Sequence, residues 1–233
     1  MQIRPLFMVL MMALVKMSLV SCGAAQNTPG IPRPGTLQWH AQQAKSKGKA
    51  SAEIVEFPGL SDQSNLDEAV ERYTVVTAIP IASAVQPETG TILTWHKFRV
   101  VSVLSKASKC EPCDPAPNIP PRLLPLLPSE IAVPLEGGTA RVDGVTITVR
   151  AAAPRLEMNQ LYLLFLRGAA GSNQVAELGG ETQEWVFKVD KNGKLFAVSN
   201  RTSPLSRDVM SIGASDLIHE HIQYFKARQH GSK

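Results

Sequence analysis

A long β-hairpin is the feature that most constrains the fold of this chain. Two segments rich in β-branched and aromatic residues, 73–85 and 91–104, flank the short turn sequence Gln86-Pro-Glu-Thr-Gly90, which is typical of a hairpin. Each arm has about 13 residues, against a usual strand length of roughly 5–6, so the arms must bend or coil. Coiling indicates a small barrel or a strongly twisted sheet. Pro80 cannot donate to a ladder and predicts a bulge or an edge position.

Further strand signals follow the hairpin. Asp143-Gly144 separates two alternating segments and predicts a tight hairpin, because Asp-Gly suits a two-residue primed turn. The nearly continuous apolar run over 160–166 predicts a strand buried on both faces. A short strand is expected over 175–178, and another hairpin over 185–198.

Helix signals stand at both ends of this β region. Asn65 and Glu68 form a capping-box pattern, which predicts a short helix over 66–72. Apolar positions follow helical spacing over 215–228. The expected fold is therefore mainly β: a small OB-like barrel or a strongly twisted antiparallel sheet with a short N-terminal helix and a C-terminal helix, in a single domain over 60–233.

Residues 1–22 are typical of a bacterial secretory signal peptide. Arg4 precedes an apolar run over 6–15, which is the order of basic and apolar regions in such leaders. The run is too short for a membrane-spanning helix, which needs about 20 residues. The sequence therefore predicts export.

Two alternatives remain for the end of this leader. Leu19-Val-Ser-Cys22 resembles the lipobox of bacterial lipoproteins. That resemblance implies lipidation of Cys22 and attachment to a membrane, at the outer membrane or its periplasmic face. Lys16 departs from the pattern because it places a charge in a region that the lipobox keeps uncharged. The alternative is cleavage after Ala25 and release as a soluble secreted protein.

The composition of residues 23–59 predicts a disordered tether. The segment is rich in Pro, Gly, Gln, Lys, Ala and Ser and shows little apolar periodicity. Without residues 1–21, which contain Arg4 and Lys16, the net charge falls from +4 to +2. The remaining basic excess lies partly in the tether and at the C-terminus, so no basic face for nucleic acid is expected.

A Pro-rich loop is predicted over 107–134, because its eight prolines exclude both helix and central strand. Its leucines are too apolar to lie free in water, and we expect them to fold onto the sheet. The alternative is a hydrophobic docking surface for an unknown protein or ligand. The candidate binding residues are Leu123, Leu124, Leu126 and Leu127.

Cys110 and Cys113 form a Cys-x-x-Cys motif in that loop. A redox pair of thioredoxin type precedes a helix, whereas Asp114-Pro-Ala-Pro117 follows here. A haem-attachment motif requires His where Asp114 stands, and a zinc site requires further ligands. In an oxidising compartment the motif predicts a structural disulfide, with a redox-active pair as the alternative.

Histidines offer little chemistry in the sequence. His96 lies on a predicted strand, where a lone histidine is more often packed or solvated than a base. His219 and His221 cannot share a metal ion, because residues two apart on a helix point in different directions. No nucleotide-binding motif or acid–base pair of carboxylates is apparent in the sequence. No catalytic residue, metal or cofactor is therefore predicted.

The order of these elements resembles a group of largely uncharacterised exported bacterial proteins, including lipoproteins. The likeness rests on Thr94-Trp-His-Lys-Phe-Arg-Val100 followed by Leu161-Tyr-Leu-Leu-Phe-Leu166, and it covers about 66–198. It implies an OB-like barrel of netrin or metalloproteinase-inhibitor type and carries over no functional residue. We therefore expect an exported, membrane-anchored, non-catalytic binding or envelope-associated module. The alternative is an enzyme that uses the cysteine pair or His96.

Overall fold

A computed structural model gives the fold of this chain. It describes residues 32–56, 63–107, 118–151, 155–168, 174–179, 185–198 and 203–231, and the structural statements below concern these ranges. Cys22 and the pair Cys110 and Cys113 lie outside them. All elements described belong to a unit that begins at Pro34. None of the helices in these ranges has the length and apolar content needed to cross a membrane.

Strands dominate the described part of the chain, and helices lie near its two ends. This confirms the expected mainly β class with a short N-terminal helix and a C-terminal helix. A single 3-10 turn, Pro121–Leu123, precedes the fourth strand. In chain order the other elements are α1 (Leu37–Ser46), β1 (Ser51–Val55), α2 (Leu66–Arg72), β2 (Thr74–Pro87), β3 (Ile92–Ser105), β4 (Glu130–Glu136), β5 (Gly138–Val142), β6 (Val145–Arg150), β7 (Tyr162–Arg167), β8 (Glu177–Leu178), β9 (Val186–Val189), β10 (Leu195–Ala197), α3 (Pro204–Ile212) and α4 (Ser215–Gly231).

The predicted long hairpin is confirmed as the antiparallel pair β2–β3, whose strands have 14 residues each. Its ladder shifts register at three places. One shift skips Ile81, because Pro80 pairs with Phe98 and Ala82 pairs with Lys97. The bulge predicted at Pro80 is therefore present. Such irregularities let a long strand pair bend.

A large sheet forms around this hairpin, in the order β10-β9-β7-β2-β3-β4, with β8 beside β7. Residues 174–176 approach β4 at one point only: the Ala132 N–H donates to the Gln174 oxygen at 2.7 Å, and the Ala176 N–H donates to the Ala132 oxygen at 3.0 Å. A single bridge is not a ladder. In the described ranges the strands therefore form no closed barrel. Of the two expected architectures, the OB-like barrel is absent there, and the large sheet is an open antiparallel one.

The two faces of the large sheet bury separate cores, because successive side chains of a strand point to opposite faces. On β2, Val75 joins the core under the helices, whereas Val76 joins the core of the other face. The capping box of α2 is present: Asn65 Oδ1 accepts from the Glu68 N–H at 3.0 Å, and Glu68 Oε2 accepts from the Asn65 N–H at 3.2 Å. All three helices α2, α3 and α4 contribute to the first core.

A small sheet of three strands, in the order β1-β6-β5, packs against α1. The hairpin β5–β6 turns at Asp143 and Gly144, with φ of 49° and 82°. Positive φ at both central residues is the geometry of a type I′ turn, as Asp-Gly predicts. Strand β1 pairs with β6 in parallel, with Ser51 opposite Thr146.

The expected disordered tether over 23–59 is wrong for the part that forms α1 and β1. Thr36 caps α1 by accepting the Trp39 N–H at 3.2 Å, and Leu37, Ala41 and Ala44 are buried in the small-sheet core. Two of these three residues are alanines, which fit a close helix–sheet contact and carry little hydrophobic signal in the sequence. The folded unit therefore begins well before residue 60.

Gly179 provides a test of the first core. A Cβ there would lie 2.7 Å from Trp185 Cε3 and 2.9 Å from two ring carbons of Tyr73, and these rings already pack edge to face. We expect Gly179→Ala to lower the free energy of unfolding by about 1–3 kcal/mol because both rings must shift. Gly90→Ala is the control, since its nearest atom is the Gly35 oxygen at 3.9 Å. Equal urea midpoints for the two variants would contradict the packing described.

Candidate functional site

One face of β3 changes from apolar to polar in its middle. Ile92 packs in the small-sheet core, and Phe98 packs in the second core of the large sheet. Residues two apart share a face of a strand, so Thr94 and His96 lie on this same face between the two cores. This is the place where the two sheets meet.

Two glycines bring the small sheet close to β3 at this point. Gly137 and Gly138 connect β4 to β5 with φ of +99° and +140°, a backbone region that favours glycine. Thr94 Oγ1 donates to the Gly137 oxygen at 2.7 Å. A Cβ on Gly138 would lie only 2.7 Å from the same hydroxyl oxygen. The close approach therefore requires glycine here.

A cleft of about 470 Å³ opens beside this crossing and is called the His96 cleft below. Residues of β3 and β4 line it on one side, and residues of β5, β6 and the segment after β6 line it on the other. The side chain of His96 is only 7% exposed, whereas the other polar residues of the lining are half-buried or exposed. The charged side chains that line the cleft are Glu136, Arg150 and Arg155.

His96 lines this cleft and carries a buried hydrogen-bonding atom without a protein partner in the described ranges. Its Nδ1 is buried and has no hydrogen-bond partner among the described residues. Burial lowers the pKa of His96 to about 4, so the ring is neutral near pH 7, with one N–H donor and one acceptor nitrogen. Trp95 Nε1 and Trp185 Nε1 are also unpaired, but both lie in apolar cores. An unpaired buried polar atom costs about 1–3 kcal/mol, a penalty that a bound ligand would relieve at His96.

This arrangement suits binding better than acid–base catalysis. A general base works best with a pKa near the operating pH, and a histidine with a pKa of about 4 is a weak base. Within the described ranges, no three His, Cys, Asp or Glu side chains are grouped so that they could hold a metal ion. The described side chains of the lining offer hydrogen bonding and charge pairing.

A pair of carboxyl groups lies at the edge of the His96 cleft. Burial raises the pKa of Glu136, and the negative charge and hydrogen bond of Glu56 raise it further. The Glu56 N–H donates to the Arg150 oxygen at 2.9 Å, which fixes Glu56 beside β6. Arg150 itself pairs through Nε with Glu53 Oε1 at 2.5 Å. The lining therefore combines a carboxyl whose pKa is raised with two guanidinium groups.

The leucines proposed as a docking surface divide into two kinds. Leu123 is buried, and Leu126 is partly buried against the same cluster, which contains Trp95. Leu124 and Leu127 are 51% and 56% exposed. The expectation that the leucines fold onto the sheet is therefore confirmed for Leu123 and Leu126. Of the four leucines, Leu124 and Leu127 present an apolar surface.

The Pro-rich loop is shorter than predicted, because β4 begins at Glu130. Pro134 lies inside this strand and pairs with Trp95, which is compatible with the expectation that the prolines exclude a central strand. The large-sheet order ends at β4, and among the described residues only Ala132 bridges to another segment on its outer side. Proline is tolerated on such an edge because no neighbouring strand needs its missing N–H.

A buried carboxylate holds the end of this loop against β3. Glu130 accepts the Leu127 N–H at 2.9 Å and pairs with Lys97 Nζ at 2.8 Å. The same ammonium donates to the Pro125 oxygen at 3.0 Å. The side-chain amide of Gln174 also donates to the Leu127 oxygen. The exposed Leu124 and Leu127 thus lie on a loop that is held in place by several hydrogen bonds and by the Glu130–Lys97 ion pair next to it.

Of the remaining residues considered in the sequence, His221 lies in the described ranges and the three cysteines do not. His221 Nε2 lies 3.0 Å from Asp67 Oδ1, so it links α4 to α2, and this supports a structural role. The predicted lipidation of Cys22 and the predicted disulfide of Cys110 and Cys113 fall outside the described residues and stay predictions. Comparison with protein-family models and with curated proteins finds no significant match.

The contact at Glu130 predicts an acid-dependent loss of stability. The Leu127 N–H, and then Lys97, lower the pKa of Glu130 from its usual 4.5. A carboxyl whose pKa is lower in the folded state stabilises fully above the unfolded-state pKa, and this stabilisation is lost as the pH falls through the folded-state pKa. We expect urea unfolding between pH 7 and pH 3 to show a smaller pH dependence for Glu130→Gln than for the wild type. The control Glu220→Gln, on the surface of α4, should keep the wild-type slope, and equal slopes for both variants would refute the assignment.

Proposed function

We propose that this protein is an exported, membrane-anchored, non-catalytic binding module of the bacterial envelope. We further propose that the His96 cleft is its ligand-binding site. The observation that carries the second part is the buried and unpartnered Nδ1 of His96 at a cleft of about 470 Å³. Ligand sites commonly combine a concave surface of about 300–1,000 Å³ with a few well-placed polar groups.

The enzyme alternative has less support at this cleft. The low pKa of His96 makes it a poor proton acceptor near pH 7. Its neighbours on the same face of β3 are Thr94, whose hydroxyl is engaged with the Gly137 oxygen, and Phe98, whose ring centroid lies 6.1 Å away. Neither neighbour would activate the imidazole as a base. A catalytic role for Cys110 and Cys113 concerns residues outside the described ranges.

The anchor proposal rests on the lipobox-like sequence that ends at Cys22. Because Thr36 already caps α1, the connection from Cys22 to the folded unit covers only 23–35. Thirteen residues span at most about 45 Å when fully extended. A lipidated Cys22 would therefore keep the binding unit near the membrane surface. Stable anchoring follows from two or more acyl chains, each contributing about 0.8 kcal/mol per buried CH₂.

The binding proposal predicts that His96→Phe abolishes stabilisation by a ligand. The variant keeps an aromatic ring but removes both nitrogens. We expect a small-molecule extract of the cell envelope to raise the melting temperature of the wild type by a few degrees, because a ligand at ten times its Kd adds about 1.4 kcal/mol. The control His219→Phe changes an exposed position of α4, and its melting temperature should rise as that of the wild type does. A response that is equal in His96→Phe and the wild type would show that the cleft is not the site.

The anchor proposal predicts that Cys22→Ala prevents lipidation. We expect the wild type to incorporate an alkyne-tagged fatty acid and to sediment with membranes. The Cys22→Ala variant should remain unprocessed and unlabelled, because the acylated thiol is missing. Cys113→Ala serves as the control and should label normally. Normal processing and release of Cys22→Ala would instead support cleavage after Ala25.

A further inference from the structure

The charges around the His96 cleft narrow the class of ligand. Two guanidinium groups, those of Arg150 and Arg155, line the cleft together with the carboxyl of Glu136. Arg150 uses its Nε for Glu53, and the terminal nitrogens of a guanidinium carry further N–H donors. Arg155 is exposed and forms no ion pair with any residue in the described ranges. The lining therefore has more guanidinium groups than carboxyl groups, which leaves N–H donors for a negatively charged ligand.

The carboxyl group of the lining opposes an anion less than an ordinary glutamate would. Glu136 and Glu56 share a hydrogen bond, and burial together with the Glu56 charge raises the pKa of Glu136. A raised pKa means that Glu136 holds its negative charge less firmly than an ordinary glutamate does. Glu53, the other nearby acid, is already paired with Arg150. The second arginine, Arg155, is thus left to pair with a ligand.

His96 supplies the directional contact. A neutral imidazole whose Nδ1 carries the hydrogen donates a hydrogen bond to an oxygen without the cost of burying a charge. Arginine matches the planar or tetrahedral oxygens of carboxylate and phosphate through paired N–H groups. A cationic ligand would instead face two guanidinium groups, and a wholly apolar one would leave His96 Nδ1 unpaired.

We infer that the ligand of the His96 cleft carries a compact oxyanion, a carboxylate or a phosphate, that is hydrogen-bonded by His96 and paired with Arg150 and Arg155. This inference rests on the proposed function of the cleft as a binding site. The volume of about 470 Å³ leaves room for more than the anionic group, so the oxyanion is one end of a small organic molecule.

The test observes His96 directly in the purified protein. The imidazole nitrogens are followed by NMR while inorganic phosphate, succinate, succinamide or 1,4-diaminobutane is added at constant ionic strength. We expect phosphate or succinate, and neither of the other two compounds, to shift the Nδ1 resonance in a saturable way. Comparison of phosphate with succinate separates the two oxyanion chemistries.

Matched arginine variants test the charge pairing. Arg155→Gln should weaken binding of the active oxyanion by up to about fivefold, because an ion pair of an exposed side chain contributes up to about 1 kcal/mol. Arg141→Gln, on exposed β5 and outside the cleft lining, should bind as the wild type does. Unchanged backbone amide spectra will establish that both variants are folded. Equal binding by the two variants would overturn the role of Arg155.

The four compounds also separate this inference from the function on which it rests. A saturable shift with succinamide or 1,4-diaminobutane, without one for either oxyanion, would overturn the oxyanion assignment and leave the binding proposal standing. No saturable shift of Nδ1 with any of the four compounds would overturn both.

Discussion

The fold depends on one strand pair that is long enough to serve two sheets. The β2–β3 hairpin forms the middle of the large sheet through β7 and β4, and its far end places Ile92 in the core of the small sheet. A short hairpin would leave the small sheet without a support. The bulges, including the one beside Pro80, let the pair bend from one core to the other. The His96 cleft lies beside the part of β3 between the core of the large sheet and the core of the small sheet.

Features set by local chemistry could be predicted from the sequence. The hairpin arms, the capping box at Asn65 and Glu68 and the turn at Asp143 and Gly144 each depend on residues within a few positions of one another. One local signal that sequence analysis missed is α3, where Ser203 caps the helix and Gly213 ends it with φ of 77°. A capping serine followed by proline and a terminal glycine is a readable pattern.

Features set by distant pairing could not be predicted. Helix α1 buries two alanines and one leucine, Leu37, against strands about 100 residues away, and its low hydrophobicity resembles that of a linker. Likewise, the His96 cleft joins His96 with Arg150 and Arg155, which no sequence motif connects. The pair Gly137 and Gly138 was the available signal, because two glycines between strands indicate a close backbone approach. Their partner, Thr94, could be identified only from the structure.

The parallel pairing of β1 with β6 has a consequence for how this protein is divided and assembled. The small sheet is made from both ends of a long sequence interval: Ser51 meets Thr146 only after the whole hairpin has been synthesised. Contacts of such large sequence separation slow folding, because the entropy of closing a long loop must be overcome before they form. A fragment that starts at residue 60 would leave the β6 edge unpaired and Ile147 and Val149 without the cover of α1. Helix α1 and strand β1 thus share one core with β5 and β6, and a domain boundary drawn by composition would cut through that core.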